Sequence, residues 1–139
     1  MFYDCSKLLN APELNATTLA GSCYMGMFQS CLSLFNAPSL PATTLAEGCY
    51  RSMFSFCTTL KNAPALTATT LAERCYEHMF YMCEKLKYVK CIATDITATN
   101  ALTDWLSGVA SSGTFVKASG TRWKSGASGI PEGWYVNEE

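Results

Sequence analysis

The sequence predicts an α/β solenoid of 26-residue repeats that is closed by a small, β-containing C-terminal cap. Three observations lead to this fold class: a repeat of constant length, a helix-like spacing of apolar residues in each copy, and a short proline-containing segment after it. Residues 1–26, 27–52 and 53–78 align without a gap, and fifteen of the 26 positions are identical in all three. Such self-similarity is typical of proteins whose copies stack along one axis.

Each copy contains one segment for which we expect a helix and one for which we expect a strand. Apolar residues from Leu45 to Cys57 follow steps of one and three, as on one face of an amphipathic helix. Thr44 and Glu47 have the spacing of a capping box, which places the helix start at the second Thr of Ala-Thr-Thr. The segment Asn-Ala-Pro-x-Leu is too short for a helix, and its proline lacks one ladder donor. We therefore expect a short extended strand there.

The chain divides into two predicted regions. Residues 1–106 hold the repeats, with a degraded fourth copy at 79–106, and a decaying last copy is typical of the end of a repeat array. Residues 107–139 are rich in glycine and serine and contain two of the three tryptophans. Two short strands are predicted in this region, at 114–117 and 134–136. We interpret it as a cap over the last copy; the alternative is a separate binding element.

The repeated residues resemble the BspA-like leucine-rich repeats of bacterial surface proteins. The resemblance rests on Cys-x-x-Leu, the short strand, the Ala-Thr-Thr-Leu-Ala start and the closing Phe-x-x-Cys, and it covers residues 1 to about 106. The Gly-Ile-Pro-Glu-Gly-Trp sequence at 129–134 also resembles the C-terminal segment of such proteins in gut bacteria. The family implies a curved leucine-rich-repeat solenoid with short parallel strands on one face and helices or turns on the other. It also implies a secreted or cell-surface protein with a role in adhesion or binding.

The first residues lie in the middle of a repeat. Met1 is in register with Met27, Met53 and Met79, and neither a secretory signal nor an apolar run of membrane-spanning length is present. We expect the natural protein to extend further upstream. We also expect an apolar N-terminal face through which the chain can self-associate.

Composition and motifs argue against catalysis, metal binding and nucleic-acid binding. The formal net charge is −1, which does not suit a partner that is bound mainly by charge. His78 is the only histidine, and phosphate-binding loops, nucleophile elbows and HExxH motifs are lacking. Cys75, His78, Cys83 and Cys91 do not have a familiar zinc spacing. We expect a chain without catalytic, cofactor or metal sites and without membrane insertion.

The eight cysteines are predicted to be packing residues. Seven of them recur at 26-residue steps in two sets. Stacked helices would hold equivalent cysteines about 8–10 Å apart, whereas a disulfide needs Cα atoms within about 7 Å. We therefore expect buried free thiols that act as small hydrophobic side chains. Cys91 lies outside both sets and is the best candidate for a reactive thiol.

Positions that differ between copies are expected to face solvent and to form the candidate partner-binding face. We define two rows on the strand side. The first row is Leu9, Phe35, Lys61 and Lys87, and the second row is Glu13, Ser39 and Ala65. An equally plausible interpretation is that these positions vary because nothing selects them. Asn10, Asn36 and Asn62 are identical, which predicts inward side chains that bond the backbone of the next copy.

The predicted function is a non-enzymatic binding or adhesion module that recognises a protein or a glycan through this face. The alternative is a structural spacer within a larger envelope protein or a phage tail fibre.

Overall fold

A computed structural model describes all 139 residues, and its regular secondary structure is one small parallel sheet. The strands are β1 (Tyr88–Cys91), β2 (Thr114–Lys117) and β3 (Tyr135–Glu138), in that order across the sheet. Val89 pairs with Phe115, which in turn pairs with Val136. The chain contains no helix, and no membrane-spanning helix is therefore found. The predicted α/β class, a leucine-rich-repeat solenoid with helices on one face, is wrong.

Turns occupy the places where the sequence predicts helices. We call residues 21–30, 47–56, 73–82 and 99–108 the four turn segments; they recur at steps of 26 residues. Their backbone N–H groups alternate between two acceptors. In the second turn segment, odd-numbered residues donate to the carbonyl three residues earlier, whereas even-numbered residues donate to the carbonyl 25 residues later. The Tyr50 N–H, for example, donates to the Cys75 carbonyl at 3.1 Å.

This hydrogen-bond pattern excludes an α-helix. A helix bonds each interior N–H to the carbonyl four residues earlier, but here alternate N–H groups are already used between copies. In addition, φ is positive at every fourth residue, as at Gly48, Ser52 and Phe56 with values of 59°, 54° and 61°. Each of these is the third residue of a turn, where type II turns place a positive φ. Right-handed helices do not accommodate such residues.

Equivalent side chains stack directly on one another to form the core. Phe2, Phe28, Phe54 and Phe80 form a column with ring centroids 5.5–5.6 Å apart. A second column of Tyr24, Tyr50 and Tyr76 continues onto Trp105, at separations of 6.0–6.2 Å. Such aromatic contacts contribute beyond the buried area itself.

Buried thiols connect the copies as well. The thiols of Cys31, Cys57 and Cys83 donate to the carbonyls of the phenylalanines 29 residues earlier, at 2.9, 3.1 and 3.0 Å. All eight cysteines are free, and six of them are buried.

Proline limits the strands in the first three copies. There the Asn-Ala-Pro segments form only isolated parallel bridges, such as the one between Asn10 and Asn36. In the fourth copy Val89 and Lys90 replace Ala-Pro, which restores the missing N–H, and strand β1 forms.

The C-terminal residues pack on the fourth turn segment. The Trp105 indole N–H donates to the Gly129 carbonyl at 2.8 Å, and the Trp123 ring stacks on Trp105 at 5.8 Å. The Trp134 indole N–H donates to the Ala110 carbonyl at 2.8 Å. Strand β2 coincides with the strand predicted at 114–117, and β3 begins one residue after the predicted start.

The residues with positive φ allow a test of whether these segments are turns or a helix. Ser30 has a φ of 61°, whereas its neighbour Gln29 does not have a positive φ. Because glycine adopts positive φ without steric cost, we expect Ser30→Gly to leave the free energy of unfolding within about 0.5 kcal/mol of its original value. Gln29→Gly, the matched control, should lower it by about 0.5–1 kcal/mol. Urea denaturation measures both. Equal losses of about 1 kcal/mol would instead indicate a helix.

Candidate functional site

The structure brings the first row together on one exposed face. The Phe35 N–H donates to the Leu9 carbonyl at 2.9 Å, and the Lys87 N–H donates to the Lys61 carbonyl at 2.9 Å. The Lys61 ammonium lies 6.0 Å from the centre of the Phe35 ring, at the limit of a cation–π contact. Leu9 is 60% exposed and Phe35 is 55% exposed. The four side chains are therefore neighbours, although they come from different copies.

A groove of about 500 Å³ accompanies the apolar end of the first row. Leu9 and Phe35 contribute its apolar lining, and Asn10 and Asn36 contribute amides. The Asn36 amide N–H donates to the Asn10 side-chain oxygen at 2.7 Å, and both residues are exposed. The prediction that these asparagines point inward is therefore wrong. They bond to each other at the surface, where their remaining donors and acceptors stay accessible.

The charged end of the first row carries two free cations. Lys61 and Lys87 are exposed, and neither belongs to any of the five ion pairs of the structure. The row thus changes from apolar at Leu9 and Phe35 to cationic at Lys61 and Lys87. An arrangement of this kind suits a ligand that has both an apolar face and a negative charge.

The second row is exposed but more polar and discontinuous. Glu13 and Ser39 line a small groove between two proline segments, and Ser39 lines another together with Ala65. Cys91, the equivalent position in the fourth copy, is fully buried in β1. Burial raises the pKa of its thiol to about 12, so the prediction of a reactive Cys91 is wrong.

The residues considered for zinc are dispersed. Cys75, Cys83 and Cys91 are buried, whereas His78 is partly exposed and has its Nε2 3.8 Å from the Asp104 carboxylate. The structure contains no group of three or more His, Cys, Asp or Glu side chains placed to hold a metal ion.

The first copy exposes residues that are covered elsewhere. Phe2 and Cys5 are half-buried, whereas their equivalents Phe28 and Cys31 are fully buried, and Met25 is 44% exposed. Self-association through this face stays a prediction. In the first turn segment the Gly21, Cys23 and Met25 carbonyls accept no backbone hydrogen bond, whereas the Met27 and Gln29 carbonyls accept from Phe2 and Asp4.

A larger cavity, of about 590 Å³, lies between the fourth copy and the cap, and the sequence did not predict it. Arg122, Trp123 and Lys124, which are consecutive in the sequence, line this cavity. The order cation, aromatic residue, cation is visible in the sequence. The sequence does not show that these three residues lie opposite residues 96–103 of the fourth copy.

The chain matches no protein-family model, and neither curated proteins nor solved structures include a significant match.

Thiol reactivity tests the placement of the cysteines. Cys23 is exposed, whereas Cys91 and five other cysteines are buried, and burial raises the pKa of Cys57, Cys75 and Cys91 to about 12. Because the thiolate is the reactive form, a brief treatment of the native chain with a thiol reagent should label Cys23 first and leave Cys91 unlabelled. All eight should react after unfolding. Peptide mass spectrometry identifies the sites, and early labelling of Cys91 would contradict the structure.

Proposed function

We propose that the chain is a non-enzymatic binding module that recognises a protein or a glycan through the first row and its groove. The observation that carries the proposal is the continuity of Leu9, Phe35 and Lys61 across three copies, with two large apolar side chains more than half exposed. Exposed apolar patches with polar rims mark interaction sites. The resemblance to BspA-like repeats also supports a secreted or cell-surface binding protein.

The chemistry of the face supports recognition by stacking and hydrogen bonding. The Phe35 ring offers an apolar surface on which a sugar ring or an aromatic side chain can pack. The exposed amides of Asn10 and Asn36 offer directional donors and acceptors beside it. Lys61 then supplies a charge for an acidic group of the ligand.

Rigidity of the face lowers the cost of binding. The backbones of neighbouring copies are joined by hydrogen bonds at Phe35–Leu9 and at Lys87–Lys61, so the spacing of the row is fixed before a ligand arrives. Preorganisation of this kind raises affinity because little conformational entropy is lost on binding.

Paired substitution distinguishes a binding module from a spacer. A screen of glycan and host-protein arrays with the labelled chain should find a ligand, and biolayer interferometry should then measure its affinity. Phe35→Ala combined with Lys61→Ala should weaken binding about tenfold or more, since central aromatic residues dominate binding energy. The free energy of unfolding should change little because both side chains are exposed.

Met25→Ala combined with Arg74→Ala is the matched control, because it removes one exposed apolar and one cationic side chain from the turn segments. The control should bind as the original chain does. Equal affinities of the two double variants, or arrays without any ligand, would contradict the proposal and favour a spacer.

A further inference from the structure

The cavity between the fourth copy and the cap has a wall with two backbone donors that lack acceptors. In the third turn segment the Arg74 and Tyr76 N–H groups donate to the Thr99 and Ala101 carbonyls at 3.1 and 3.0 Å. The equivalent N–H groups in the fourth turn segment belong to Asn100 and Leu102. Neither has an acceptor within the protein, and both residues line the cavity.

The cap satisfies only the next two donors of the same series. The Asp104 N–H donates to the Ser128 hydroxyl at 2.9 Å, and the Leu106 N–H donates to the Ala127 carbonyl at 3.1 Å. The cap therefore replaces the missing next copy at these two positions. The Asn100, Leu102 and Gly108 N–H groups are left without an acceptor, and the first two of these residues line the cavity. Because Leu102 is only 9% exposed, its unpaired N–H is costly without an acceptor.

Backbone N–H groups without a protein acceptor are available to the oxygens of an anion. The two at this cavity belong to Asn100 and Leu102, which both line it.

Side chains at the cavity add positive charge. Arg122 and Lys124 are exposed and form no ion pairs, and no acidic side chain lines the cavity. The Trp123 indole N–H is buried and also has no partner. The remaining lining includes apolar side chains, namely Ile96, Ala98, Ala101 and Leu102.

We propose that this cavity binds a small organic carboxylate. The carboxylate oxygens accept from the Asn100 and Leu102 N–H groups and are held by Arg122 and Lys124, through charge-assisted hydrogen bonds. The apolar body of the ligand packs against Ile96 and Trp123. The apolar lining is the reason that the cavity favours an organic acid over inorganic phosphate. This site is separate from the first row, so either can fail without the other.

Titration followed by nuclear magnetic resonance tests the site in the full chain. Benzoate is the probe, and benzamide is its uncharged counterpart of nearly the same shape. Benzoate should shift the Asn100 and Leu102 amide signals in a saturable manner. Benzamide and inorganic phosphate should each bind about tenfold or more weakly. Equal binding of benzamide would overturn the role of the carboxylate, and equal binding of phosphate would overturn the organic class.

Charge-reversal variants test whether Arg122 and Lys124 hold the carboxylate. Arg122→Glu with Lys124→Glu should abolish the benzoate shifts, whereas the matched control Lys7→Glu with Lys85→Glu, at exposed residues outside the cavity, should retain them. Tryptophan fluorescence checks that the cap stays folded. Should the reversed variant unfold, Arg122→Gln with Lys124→Gln gives the same comparison. The proposal would be overturned if benzoate caused no shifts in the original chain or shifted only the signals of the first row. Unchanged benzoate binding after Arg122 and Lys124 are replaced by Glu or by Gln would also overturn it.

Discussion

The division of backbone N–H groups between two kinds of acceptor is the constraint on which the structure depends. In the first three turn segments, alternate donors close turns, and the others bond the next copy at 2.8–3.1 Å. The second set requires an acceptor 25 residues later each time, so the repeat length must stay constant. It also places equivalent side chains above one another, which is why Phe28 can stack on Phe54 with rings only 5.6 Å apart.

The repeat length and strand β2 could be predicted from the sequence. The helices predicted from the same sequence are absent from the structure. Steps of one and three from Leu45 to Cys57 add up to a period of four. An α-helix has 3.6 residues per turn, so a period of four drifts by about 40° in each cycle. The turn segments have no such drift because their positive φ recurs at every fourth residue. The regular period of four in the sequence therefore indicates turns and not a helix. Gly26, Gly48 and Gly108 are consistent with turns, because each has a positive φ.

The two candidate sites differ in how far the sequence predicts them. Comparison of the copies identifies Phe35 and Lys61 as variable, and the structure places them beside each other. The outward direction of Asn36 and the burial of Cys91 depend on which way each segment faces, and spacing alone does not give this direction. The cap cavity depends on where the donor series loses its acceptors, which is determined by contacts between residues more than twenty positions apart.

Hydrogen-bond scalar couplings measured by nuclear magnetic resonance test the central claim most directly. They connect the nitrogen of a donor with the carbonyl carbon of its acceptor. The structure predicts a correlation between the Tyr50 nitrogen and the Cys75 carbonyl, and another between the Phe54 nitrogen and the Met79 carbonyl. Correlations from these nitrogens to the carbonyls four residues earlier would instead show an α-helix and would contradict the account.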